Sequence, residues 1–150
     1  MNPGPKVCLV AATLAGYAAL TGCSSEAPRS LEGTSWQLTS IQSMDDAQGT
    51  TTVDDPAKFT VEFGKDGQAF FGIDCNRGRG SYTAEPADDG VSGSLTFGPI
   101  ATTLMMCPQP SLDHQVSQAL SDVRTYLFTD DALHLSKFAD GGILTWRPAP

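Results

Sequence analysis

A chain of 150 residues, 40% hydrophobic and 17% charged, suits one domain and is too apolar to be wholly disordered. Its apolar residues are not gathered into several membrane-length runs. Nine Lys and Arg against 17 Asp and Glu leave a net charge of −8. With no dense basic block, this balance argues against nucleic acid as the partner.

The first residues read as an address. Lys6 precedes an apolar run from Val7 to Leu20, shorter than the roughly 20 residues a membrane-crossing helix needs. A charged start, a short apolar middle and small residues at its end describe a signal peptide over residues 1–22. Leu20-Thr21-Gly22-Cys23 resembles the lipobox of bacterial lipoproteins. That resemblance implies cleavage between Gly22 and Cys23 and diacylglycerol on the Cys23 thiol. Acyl chains hold a protein at a bilayer because each buried CH₂ contributes about 0.8 kcal/mol. The expected location is extracytoplasmic, at the cell membrane or outer membrane, with membrane lipid as the first partner. Residues 23–30 read as the lipidated Cys and a flexible tether, and residues 31–150 as the domain.

Of four cysteines, Cys8 leaves with the signal and Cys23 carries lipid, so Cys75 and Cys107 remain. An even pair in an oxidising compartment is expected to form a disulfide. Two free buried thiols, or a catalytic or metal role, are the alternatives. No CxxC or HxxxH occurs, and His114 and His134 are far apart in sequence, so neither a metal nor a cofactor is expected.

The body alternates in the manner of β-strands. Ser35–Ile41 sets Trp36, Leu38 and Ile41 among polar residues, Lys58–Phe63 alternates apolar with polar, Gln68–Ile73 is a further β-rich run, and Asp66-Gly67 supplies a hairpin turn between the last two. Gly80–Ala84 and Gly93–Phe97 read as a second pair, Ala132–Phe138 and Ile143–Trp146 as a third. Between them, Leu112, Val116, Ala119, Leu120, Val123 and Leu127 fall at spacings of three and four, which predicts one α-helix over 111–127 with Ser111 as its N-cap. The fold class is α+β, mainly β: a small curved antiparallel sheet or partly open barrel covered by that helix.

Three segments carry a family resemblance. Leu31-Glu32-Gly33-Thr34-Ser35-Trp36-Gln37-Leu38 is similar to a G-x-W-x-L opening, with one residue more between Gly33 and Trp36. Gly72-Ile73-Asp74-Cys75-Asn76-Arg77-Gly78-Arg79-Gly80-Ser81-Tyr82 is similar to a G-C-N-x-x-x-G-x-Y segment, with Ile73-Asp74 placed between the first Gly and the Cys. Thr102-Thr103-Leu104-Met105-Met106-Cys107 follows T-T-x-M-x-C, with Leu104 where a basic residue is common. In this order they resemble the META/HslJ-like domain of bacterial envelope proteins. The resemblance implies a small antiparallel β structure with one helix. It also implies a setting in heat shock, antibiotic tolerance, secretion or motility, without an agreed reaction.

Candidate chemistry is sparse. Arg77 and Arg79 lie two apart, so an extended chain would turn both to one side, where they could hold a phosphate or carboxylate; pairing with the abundant acids, or lying solvated at a loop, is the plainer reading. Asn76 reads as a residue bonding local backbone in a turn. Met105 and Met106 could offer soft ligands but read as core filling, and Trp36 and Trp146 also read as core. No G-x-S-x-G elbow or phosphate loop occurs, so no catalytic residue is assigned. The expected function is a non-enzymatic, membrane-anchored binding or scaffold module whose partner is an envelope protein, peptide or small ligand. The alternatives are a carrier of a small amphiphile or peptide in a barrel mouth, and a thiol redox protein using Cys75 and Cys107.

Overall fold

The computed structural model describes residues 27–45 and 47–150. The expected signal peptide, the expected cleavage point at Gly22–Cys23 and the expected acylation site Cys23 lie outside the described residues. Ten strands form one antiparallel sheet: β1 (Ser35–Gln42), β2 (Thr50–Thr52), β3 (Phe59–Phe63), β4 (Gln68–Ile73), β5 (Asn76–Pro86), β6 (Ser92–Phe97), β7 (Ala101–Thr102), β8 (Val123–Thr129), β9 (Ala132–Lys137) and β10 (Ile143–Pro148). The eight longer strands run in the order β10-β9-β8-β6-β5-β4-β3-β1, and β1 also pairs with β10, Trp36 opposite Pro148 through Gln42 opposite Ile143. The barrel is therefore closed, where the sequence left it partly open. Closure removes the edge that a first and a last strand would otherwise expose.

Alternation fills the interior. Leu38, Val61, Phe63, Leu133, Leu135, Leu144 and Trp146 are fully buried, and Trp36, Phe59 and Phe71 nearly so. Each large side chain withdrawn from water contributes about 1.5–3 kcal/mol. Both tryptophans are core, as read. Asp66-Gly67 makes the expected turn, with Gly67 at φ +75.

The two ends of the barrel differ. At one end lie the turns near residues 66, 88 and 130, and both chain segments that leave the barrel. Arg29 belongs there: its N–H donates to the Gly90 carbonyl at 2.9 Å, its guanidinium to the Asp130 carbonyl at 3.2 Å, and its charge lies 4.6 Å from the Phe128 ring centre. The sequence placed Arg29 in the tether; in the structure it is docked on the barrel. At the same end Ala149 N–H donates to the Ser35 carbonyl at 2.9 Å. The opposite end holds the Asp74-Cys75 turn, the segment 98–112 and the helix.

The helix, α1, spans Asp113–Ser121, not 111–127. Beyond it the chain is strand β8. A bulge between Val123 and Thr125 inserts one residue, so inward side chains fall at Val123, Tyr126 and Phe128. A step of three followed by a step of two imitates helical spacing in sequence. Leu127, counted on the helical face, is exposed. Ser111 is not the cap either, since Leu112 occupies that position. The Ser111 hydroxyl instead accepts from Asp113 N–H at 3.1 Å and donates to the Asp74 carboxylate at 2.6 Å.

Candidate binding groove at the helix end of the barrel

Strand β5 begins the site. Its side chains alternate Asn76 in, Arg77 out, Gly78 in, Arg79 out, Gly80 in. The two inward glycines leave room for the segment that follows β6. A Cβ at Gly80 would stand 3.0 Å from the Pro99 carbonyl oxygen, and one at Gly78 would stand 3.1 Å from Thr102 Cγ2. With that room, β6 runs on along β5 after a one-residue slip near 98–100 and continues as β7. The register shows this: Tyr82 opposes Phe97, but Arg79 opposes Ala101.

The next residues form a strap pinned from beneath. Cys75 and Cys107 are bonded, with Cα atoms 5.5 Å apart, and Cys107 is buried. Asn76, the buried polar side chain beside them, makes the other fastenings. Its Oδ1 accepts from Thr103 Oγ1 and Met105 N–H, both at 2.8 Å, and its Nδ2 donates to the Met105 carbonyl at 3.0 Å. Thr103 Oγ1 in turn accepts from Arg77 N–H at 3.0 Å. Asn76 is thus structural, but its bonds reach 27 and 29 residues along the chain instead of closing a local turn.

Pinning turns the strap's side chains outward. Leu104 is 94% exposed, Met105 62% and Met106 95%. The expectation that these methionines fill the core is corrected: the Met105 backbone is held from beneath by Asn76, and both side chains stand exposed. Between the strap and α1 runs a groove made of two adjoining cavities that share Thr102 and Ser117. One, of about 440 Å³, has Ile73, Phe97 and Ile100 along its apolar side and Ser117 and Ser121 of α1 opposite. The other, of about 380 Å³, lies among Met105, Met106, Asp113 and His114. Volumes of about 300–1,000 Å³ are typical of ligand sites.

The remaining candidates sit apart or inert. Arg77 and Arg79 both face outward, as their spacing requires, and among the described residues neither forms an ion pair. The Arg77 guanidinium donates to the Asn76 carbonyl at 2.9 Å and the Asp74 carbonyl at 3.3 Å, which ties it to its own turn. Asp74 occupies the left-handed region at φ +55, and its side chain lies 3.7 Å from Lys58 Nζ. His134 is distant, its ring nitrogens against the hydroxyls of Thr129 and Thr145 on the outer face. Among the described residues no group of three or more His, Cys, Asp or Glu side chains converges as a metal site.

The META domain family model matches residues 29–149. The chain belongs to the META domain family. No curated protein matches its sequence. A DUF4847 family protein from Bacteroides vulgatus shares the fold with a TM-score of 0.54 at 12% identity, over 77% of this chain and 92% of that one. A second solved chain, determined by NMR, gives 0.52 at 24% identity, over 77% and 88%. These likenesses are of fold alone.

In this META domain the three sequence motifs are three joints. In the first, Trp36 Nε1 donates to Thr34 Oγ1 at 2.8 Å while Trp36 and Leu38 enter the core. In the second, Gly80 seats Pro99 and Tyr82 Oη donates to the Gly64 carbonyl at 2.8 Å. The third is the strap, joined to the second through Asn76 and the disulfide. The disulfide expected between the last two is present, while the Asn76 clamp beside it was missed, because Asn76 read as bonding only its local turn.

Proposed function

We propose that this META domain is an extracytoplasmic, lipid-anchored, non-enzymatic binding module whose contact surface is the strap and the groove beside it. The observation that carries the reading is the exposure of Leu104 and Met106 on a segment fastened by a disulfide and by Asn76. A contiguous exposed apolar patch, such as the consecutive Leu104, Met105 and Met106, marks a contact site, where single exposed apolar side chains would need no explanation. Methionine also adapts its shape to a partner. The thiol redox reading has less support, because the two sulfurs are spent on each other and Cys107 is buried. Residues 27–29 meet the barrel at the end opposite the strap, so an acyl group on Cys23 sets the contact surface facing away from its own bilayer.

Two experiments test the parts separately. Cys23→Ala should move the protein from the membrane fraction to the soluble fraction at unchanged melting temperature; retention in the membrane overturns the anchor. A photo-crosslinking residue at Leu104 should capture a discrete partner in intact cells, while the same residue at Lys65, at the other end, should not. Equal capture at both, or none at Leu104, overturns the contact surface.

A further inference from the structure

The geometry points to an extended peptide as the occupant of the groove, added as a strand to the outer edge of β7; this rests on the contact surface proposed above. Thr103 N–H donates to the Arg77 carbonyl, and Arg77 N–H is met by Thr103 Oγ1. Residues 101 and 103 therefore turn their backbone groups toward β5. In an antiparallel pair successive residues alternate, so Thr102 turns its N–H and C=O the other way, with Ile100 and Leu104 on either side in the same row. Among the described residues, no hydrogen bond reaches the backbone of these three from that side.

The neighbour that would cover this edge in a continuous barrel is β8. It pairs with β6 only from Ser92–Leu127 to Ser94–Thr125 and then diverges. Helix α1 fills the resulting gap with Val116, Ala119 and Leu120, but it is a helix and offers the edge no ladder. Ile100 and Thr102 line the larger cavity, Thr102 and Leu104 the smaller, so the residues of this row border the groove along its length.

A free backbone row selects a chain with a complementary row, as in strand addition to a sheet edge. The groove walls select its character. The apolar side calls for apolar residues at alternate positions, and the strap's Leu and Met side chains would close over them. Asp113 is the charged residue of the lining, so a neutral or basic segment is favoured over an acidic one. The occupant is thus an extended, non-acidic segment of a partner protein with apolar residues two apart.

The test uses the full acylated protein in detergent micelles, against a phage-displayed library of ten-residue peptides. Enriched peptides should show apolar residues at period two. Binding should fall at least tenfold when the peptide backbone is N-methylated at every second residue, and change little when the intervening nitrogens are methylated. Amide exchange at Ile100, Thr102 and Leu104 should slow when peptide is bound. Thr102→Pro, which removes an N–H that β5 does not use, should weaken binding at least tenfold at an unchanged melting temperature. Peptides insensitive to N-methylation, absent protection at those three amides, or no enriched peptide would each overturn strand addition. Concentration-dependent dimers that slow the same amides without peptide would overturn it in favour of a second copy. A partner crosslinked at Leu104 alongside any of these failures would leave the contact surface standing and remove only the strand.

Discussion

Asn76 carries a joint that backbone alone could not make. Removing its amide leaves the Met105 N–H and C=O and the Thr103 hydroxyl without their partners beneath the strap. Each of these half-buried hydrogen bonds contributes about 0.5–1.5 kcal/mol. Asn76→Ala should therefore lower the melting temperature by roughly 5–15 °C in a domain of this size and open the strap to proteolysis between Thr103 and Cys107. Gly93 is a purely steric case, with no positive φ to blame. A Cβ there would meet the Glu85 carbonyl oxygen at 2.3 Å and the Tyr126 ring at 2.7 Å. Gly93→Ala should cost about 1–3 kcal/mol as overpacking, checked by denaturant unfolding. The Asp89 carboxylate accepts first from the Ser92 hydroxyl and then from the Val91 and Ser92 N–H groups, and these bonds hold its pKa below the ordinary 3.8. Its contribution to folding is thus complete above the ordinary value and disappears as pH falls through the lowered one. A pH titration of the Val91 and Ser92 amide resonances should show its inflection below 3.8; an inflection above it would contradict these bonds. Trp36, Trp146 and the Asp66-Gly67 turn were legible from residue type alone. Asn76 was not, because its partners are chosen by the fold.

The elements show where spacing misleads. Strands with an alternating or β-rich pattern, such as Phe59–Phe63 and Gln68–Ile73, stand where their patterns place them. The start of β8 does not, because a bulge and a preceding helix join their periodicities without a break, and nothing in the residues 121–125 signals the change. The two-residue β7 was invisible for a related reason. It contains too few positions to alternate, and only the glycines of β5 permit it. The disulfide links β5 to the strap across a sequence separation of 32. In the chain-entropy picture a closed loop of that length contributes about 3.5 kcal/mol. Replacing Cys75 and Cys107 together by Ser should lower the melting temperature by about 10 °C or more. The barrel's circular dichroism should persist, because all eight long strands keep their ladders. Loss of all cooperative unfolding would show that the disulfide holds the barrel as well as the strap.

For the molecule as a whole, closure rests on β10, which pairs with β9 on one side and β1 on the other and brings Leu144 and Trp146 into the interior. Deleting residues 143–150 removes two ladders and the fully buried Trp146 at once. The truncated chain should show no cooperative melt by calorimetry. A retained sharp transition would mean the other seven strands close without it. The sequence conveyed that the molecule is mainly β with one helix, but closure is a property of the first and last strands meeting, and local pattern says nothing about that. The same meeting brings Arg29 and Ala149 to one pole. A bead, a reporter or a second protein joined next to Arg29 or after Ala149 would consequently sit at the pole opposite the strap, so the domain can be handled from behind while the strap stays open.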